Sequence, residues 1–210
     1  MPFARSLCVF ALNLVVSAAA IADSSNREMF RQSYAAAEKA LAAGDLPTAK
    51  AGYTNALLNA RLAADLPPGA EAALAEKLAR VLGNLCERAD AEKTFLEAIS
   101  AAEKSSGTEA PRTFPLRIEL AQFTFDTDQY EKAIRYFEKA FAVGGTMLAQ
   151  KQPVAMAQLT TDYAVALEQS GKPAEAESAR QQAASLREKG GESTAVKTRS
   201  EYVPYPKTCP

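Results

Sequence analysis

With 210 residues, 23% of them charged and 48% hydrophobic, the chain has the size and balance of a single soluble helical domain. A formal net charge of −1 offers no strong field to nucleic acid or anionic lipid, and with no His the commonest general base and metal ligand is missing. Three cysteines are too few for a zinc cluster or a disulfide framework, so no cofactor is expected.

Residues 1–22 read as a signal peptide. Arg5 is the sole charge, an apolar run from Leu7 to Val16 follows with Asn13 as its only break, and small residues end in Ala20-Ile21-Ala22 before Asp23. That is the A-x-A cleavage pattern. The run is too short for a comfortable membrane span of about 20 residues, and Cys8 lies mid-run, away from the cleavage point. The expectation is an exported protein, periplasmic in a Gram-negative bacterium and otherwise secreted or held in a secretory lumen, with no stable membrane span after cleavage. An uncleaved anchor or an ordinary buried N-terminal helix is the alternative.

From there the chain repeats itself. Tyr53, Phe95 and Phe137 stand 42 residues apart, each with three alanines: Ala37, Ala49 and Ala56; Ala79, Ala91 and Ala98; Ala121, Ala133 and Ala140. A looser fourth copy has Ala164, Ala176 and Ala183, with Arg180 where the ring stood. Self-similarity at this period predicts a solenoid, in which each unit buries its apolar face only by stacking on its neighbours. Each unit reads as two antiparallel helices, A and B, with turns at Gly44-Asp45-Leu46-Pro47, Cys86-Glu87-Arg88, Asp126-Thr127-Asp128 and Ser170-Gly171-Lys172-Pro173. Asp45 and either Thr127 or Asp128 are expected to cap the following helices. In helix B the alanine, aromatic and alanine fall at spacings of four and three, on one buried face. Proline-containing joints at Leu66-Pro67-Pro68-Gly69, Ala110-Pro111 and Gln152-Pro153 separate the units, which run roughly over 30–66, 72–110, 114–152 and 157–189 within a solenoid spanning 23–189. The polar fourth B helix, with Arg180, reads as a closing cap.

Residues 190–210 have no apolar period and read as a disordered tail. Within it Tyr202-Val203-Pro204-Tyr205-Pro206 is either a solvated stretch, a linear ligand for another protein, or a segment that folds back into the chain's own groove. Cys86 and Cys209 form a possible disulfide in an oxidising compartment; the alternative is a small interhelix residue and a free tail thiol.

The pattern A-x-x-x-[YF]-x-x-A, with a small residue 12 positions earlier, resembles the tetratricopeptide repeat (TPR). The 42-residue period is similar to the repeat of kinesin light chains, as in Leu82–Ile99 and Asp128–Ala140. HEAT and armadillo repeats share the period but do not explain the alanine triplets. The resemblance covers about residues 25–189. It implies an all-α fold, an α-solenoid of about four antiparallel helix pairs in a right-handed superhelix. It also implies ligand binding in a concave groove lined by the A helices.

Projected on that groove, the stripe beside the buried alanines comprises Arg31, Tyr34, Glu38, Glu76, Arg80, Asn84, Ile118, Gln122, Phe125 and Thr161. Glu38 and Glu76 oppose the clamp for a C-terminal carboxylate that some proteins of this family carry. Tyr34, Ile118 and Phe125 instead suggest apolar anchors among hydrogen-bonding groups, although Ile118 and Phe125 also suit the helix–helix core. On this reading Arg80→Glu with Tyr34→Ala removes partner capture and leaves the melting temperature alone. Acidic residues alternate with Lys and Arg on solvent faces, and no Gly-rich phosphate loop occurs. The chain therefore reads as a non-catalytic, exported scaffold or adaptor for an unidentified protein or peptide partner. A binder of a small or lipid-like molecule, or a membrane-tethered assembly factor, is the alternative.

Overall fold

A computed structural model describes residues 4–108, 113–190 and 204–209, with side chains from Asp23 onward. The described residues are helical with no strand: α1 (Ala4–Ala42), α2 (Leu46–Leu62), α3 (Ala70–Asn84), α4 (Arg88–Ser106), α5 (Thr113–Asp126), α6 (Tyr130–Ala140), a π-helical turn (Phe141–Gly145), α7 (Thr146–Lys151), α8 (Pro153–Gln169) and α9 (Pro173–Gly190). They pack as four antiparallel pairs, α1 on α2, α3 on α4, α5 on α6, and α8 on α9. The side chains of the leader, 1–22, lie outside the described residues.

The alanine seams explain the pairing. Ala37, Ala49, Ala56, Ala79, Ala91, Ala98, Ala121, Ala133 and Ala140 are all completely buried, as are Tyr53, Phe95 and Phe137. Ala164 and Ala176 are equally buried, and Ala183 is 1% exposed. A methyl group at each crossing lets the axes approach toward the ~8 Å end of the packing range, and the ring fills the space beside it. Arg180, at the ring's position in the last pair, turns outward to ion pairs with Glu168 and Glu177.

The step from the third unit to the fourth is 43 residues at all three alanines (164 − 121, 176 − 133, 183 − 140). The π-helical turn sits directly after Ala140, where i→i+5 bonding takes one extra residue into a helical turn. Gly144 in that turn lies under the Phe114 ring, so close that a Cβ would come within 2.3 Å of it.

All four A–B turns share one hydrogen-bond pattern. In the first, Gly44 N–H donates to Leu41 O and Asp45 N–H to Ala40 O; Cys86 and Glu87, Asp128 and Gln129, and Gly171 and Lys172 repeat both bonds. This is the Schellman closure, and its penultimate residue is left-handed: Gly44 (φ 75°), Cys86 (φ 64°), Asp128 (φ 60°) and Gly171 (φ 76°). Asp45 caps α2 by accepting from Thr48 N–H at 3.1 Å. Thr127 and Asp128 do not cap α6: Thr127 Oγ1 donates back to Phe123 O, and Asp128 faces Tyr130 and the tail.

The end of the tail, expected to be disordered, is placed on the helices, and of the three readings of Tyr202–Pro206 the fold-back onto the chain is the one seen at residues 204–206. Residues 191–203 lie outside the described residues, but Pro204–Cys209 is laid along the ends of α3, α4 and α5, and Tyr205 is only 6% exposed. Of the two readings of the cysteines, the bridge is the one observed: Cys86 and Cys209 are disulfide-bonded, with Cα atoms 5.7 Å apart. In the chain-entropy account, closing a loop of 123 residues stabilises the folded state by about 5 kcal/mol.

Phe137→Ala should lower unfolding stability by about 3–5 kcal/mol, because it empties a closed site. Arg180→Ala, at the matching position on an open face, should change it by no more than about 1 kcal/mol. Denaturant titration of the two variants checks the register of the repeat.

Candidate functional site: the A-helix face

The A helices α1, α3, α5 and α8 run side by side, and the gaps between neighbours differ. Between α1 and α3 the gap is sealed by charge. Glu38 accepts from Tyr53 OH and pairs with Lys77 Nζ at 2.8 Å, while Lys77 lies 5.7 Å from the centre of the Tyr34 ring. The bond from Lys77, then that from Tyr53, holds the Glu38 carboxyl below its usual range. Tyr34 also stacks on Phe30 at 6.1 Å. Arg31, with a side chain 73% exposed, reaches only Glu28 at 3.9 Å.

Between α3 and α5 the gap is filled by the tail. The Tyr205 ring packs edge-on to Phe123 at 5.0 Å and Phe95 at 6.5 Å. Its hydroxyl donates to Glu119 Oε1 at 3.1 Å, and its backbone N–H donates to Asp126 Oδ2 at 3.0 Å. Lys207 Nζ reaches Asp128 Oδ1 at 2.8 Å, and the Arg88 guanidinium donates to the Lys207 carbonyl. Room for the ring exists because position 83 is glycine: a Cβ there would lie 2.7 Å from the Tyr205 ring. The same register holds Leu41 one unit earlier and Phe125 one unit later. Phe125 packs on Phe137 at 6.5 Å, edge-on, as Tyr205 packs on Phe95. Tyr205 therefore supplies, from the far end of the chain, the ring that the second unit lacks.

Arg80 joins this cluster. Its guanidinium forks onto Glu119 and bonds Glu76 at 2.6 Å. Hydrogen bonding to Glu119 raises the Arg80 pKa, and burial, with Glu119 as a like-charged neighbour, raises that of Glu76. Against the expectation that it spares stability, Arg80→Glu with Tyr34→Ala should lower the melting temperature, because it gathers three carboxylates where one cation now joins two and takes Tyr34 from the α1–α3 seal. Asn84 stays exposed and donates to its own helix at Arg80 O.

Between α5 and α8 the gap is open. Phe114, Ile118, Gln122 and Phe125 on one side and Gln158, Leu159 and Asp162 on the other line a cleft of about 220 Å³, with Leu148 and Gln152 at one end. Ile118 serves both readings, being 8% exposed and part of the core while forming the cleft wall. Thr161 is absent from the lining; it accepts from Arg187 of α9 at 2.7 Å, and Asp162 and Gln158 take the cleft side.

The stripe is thus brought together only in part: Ile118, Gln122 and Phe125 share a cleft, Arg80 and Glu76 belong to the tail's socket, and Tyr34 and Glu38 to the first seal. Sequence reasoning missed Glu119 and Phe114 as site residues, and held Tyr205 only as one of three readings of its segment, without the slot that receives it. For Tyr205 a signal was present, namely glycine at 83 between Leu41 and Phe125.

Burial, and then Glu119, push the Tyr205 phenol well above its ordinary value. A raised tyrosine favours the neutral form in the fold, so its contribution is full below the free value of about 10 and is lost as pH rises beyond it. Wild-type stability should fall relative to Tyr205→Phe above about pH 10. At pH 7 the variant should be weaker by about 1 kcal/mol for the lost hydrogen bond. Unfolding titrations of both proteins across that range check the sign.

No family model matches the chain, and no curated protein does. Among solved structures, the putative kinesin light chain with nearly identical TPR-like repeats from Podosopora anserina is similar, with a TM-score of 0.62 and 18% identity over 78% of this chain and 77% of that one. A single-substitution form of that protein gives 0.60 and 18% over 76% and 75%. BtubC (BKLC) from P. vanneervenii is covered more fully, 95% of this chain and 96% of that one, at a TM-score of 0.47 and 14% identity. The helix pairs, their seams and the superposition on the two Podosopora anserina structures establish the fold as a TPR-like α-solenoid.

Proposed function

We propose that the chain is an exported, non-catalytic scaffold that docks a protein partner on its A-helix face. The observation that carries this reading is the seating of Pro204–Cys209: an extended segment is held there by a buried ring, a backbone hydrogen bond and an ion pair, so the face accepts polypeptide. The cleft between α5 and α8 is the part of the face left vacant for a partner, and Ile118, Gln122 and Phe125 line it. A volume of about 220 Å³ falls below the roughly 300–1,000 Å³ of small-molecule pockets, which favours one anchoring side chain over a whole ligand. Export is supported by the leader at 1–22 and by the Cys86–Cys209 bridge, a bond that persists in oxidising compartments. Among the described residues no helix is long and apolar enough to cross a membrane, and no group of His, Cys, Asp or Glu is placed to hold a metal ion.

A photocrosslinking residue at Gln122 should capture a discrete partner in the native compartment, whereas the same residue at Leu58, 57% exposed on α2, should not. Equal capture from both positions, or none from Gln122, overturns the docking face. N-terminal sequencing of the native protein should read Asp23; a chain beginning at Met1 or Pro2 would instead make it a tethered form.

A further inference from the structure

The socket between α3 and α5 is a built site with five points of recognition, each met by a different part of the tail. A glycine-floored slot between Phe95 and Phe123 takes a ring. Glu119 takes the hydroxyl of that ring, and Asp126 takes the backbone N–H of the same residue. Asp128 takes a cation two residues on, whose carbonyl is held by Arg88. Prolines on both sides of Tyr205 lack the N–H that an extended segment would otherwise leave to be satisfied, and they stiffen it before binding. Together these features describe a ligand class, an extended protein segment of pattern Pro-Tyr-Pro followed by Lys or Arg.

We propose that this socket is a recognition site for such a segment on a partner protein, and that the chain's own tail occupies it as a tethered competitor held by the Cys86–Cys209 bond. The proposal rests on the docking role above and names what this end of the face takes. The bridge decides which occupant wins, because a covalently closed segment is present at an effective concentration that a free partner does not reach. Cys209 is exposed and Cys86 half-buried, so an external dithiol attacks at Cys209 Sγ. The S–S bond breaks, the Cys86 thiolate leaves and takes a proton, and a mixed disulfide forms at Cys209. The second thiol of the reductant then displaces Cys209 as a thiol and becomes the oxidised disulfide. Two electrons pass from the dithiol to the protein, and the tail is held afterwards only by its non-covalent contacts and by the chain at 191–203.

The test uses a fluorescent, end-blocked peptide Val-Pro-Tyr-Pro-Lys-Thr and the full chain. The oxidised wild type should bind it roughly 100-fold more weakly than the Cys209→Ser/Tyr205→Ala double variant, in which the tail is neither bonded nor seated. A peptide with Ala for Tyr should not bind either protein. Adding Gly83→Phe to the double variant should abolish binding while the helical content is kept, because the new ring occupies the slot as Phe125 does one unit on. If the folded double variant ignores the peptide, or Gly83→Phe leaves binding intact, the tail is a structural clasp and the proposal fails. Should the double variant not fold, Cys209→Ser alone decides: a gain of about tenfold over the oxidised wild type supports the proposal, and no gain overturns it. Partner capture from Gln122 in a protein whose folded double variant ignores the peptide would keep the docking role and discard this inference, whereas peptide binding by the double variant with no capture from Gln122 would keep the socket and discard the cleft.

Discussion

Close approach of paired helices across buried methyl groups is the constraint from which this architecture follows. Twelve alanines sit at the crossings, and the nine in the first three units are wholly buried in close-packed surroundings. Such tight seams join helix A to helix B within a unit, and the large side chains are left to fill the spaces between units. Where residues of adjoining units suffice, as with Tyr34 and Tyr53 of the first and Lys77 of the second, the A-helix face is closed. Where they do not, a gap remains. The second gap takes a ring from the chain terminus and the third stays open, so the vacancies on the functional face are what the packing of uniform seams leaves over.

Electrostatics give those vacancies a sign. Glu76, Glu119, Asp126, Asp128 and Asp162 all lie on or beside the A helices from α3 to α8, with Arg80 bound among them and Lys77 and Arg88 alongside. A near-neutral chain thus presents a locally acidic strip. The tail that lies on it is basic at Lys207 and presents a hydroxyl and an N–H at Tyr205, each aimed at a carboxylate. Because Glu119 and Asp126 are largely covered, the bonds they accept are less screened than exposed pairs, and loss of the tail would leave their charges to be resolvated.

The seams and their rings were legible in the sequence because they repeat: position 95 reports on 53 and 137, and the alanines on one another. What does not repeat was harder to read. The Schellman turns are common to all four units, yet residues at their apex vary, so Asp128 looked like a helix cap when its partners are Tyr130 and Lys207. The stripe of groove residues assumed equal gaps between A helices. Thr161 stands three residues before its alanine as Ile118 does, yet it is outside the cleft lining, and its hydroxyl accepts from Arg187 of α9. Tyr205 lies 122 residues from Gly83 (205 − 83), and no local pattern links them. The link lies in a missing side chain, visible only when the units are aligned and the gap at 83 is noticed.

The four left-handed turn positions carry a last consequence. Two are glycine, at no steric expense; the two that touch the tail are Cys86 and Asp128, each held where an L side chain is disfavoured by about 1 kcal/mol. Glycine at 86 would relax the backbone and remove the covalent hold on the terminus, and glycine at 128 would remove its ion pair, since a hydrogen atom reaches nothing. Backbone comfort is thus surrendered at the two bends that must grip and kept at the two with nothing to hold, so stabilising consensus substitutions at those apexes would harden the rod while loosening its clasp.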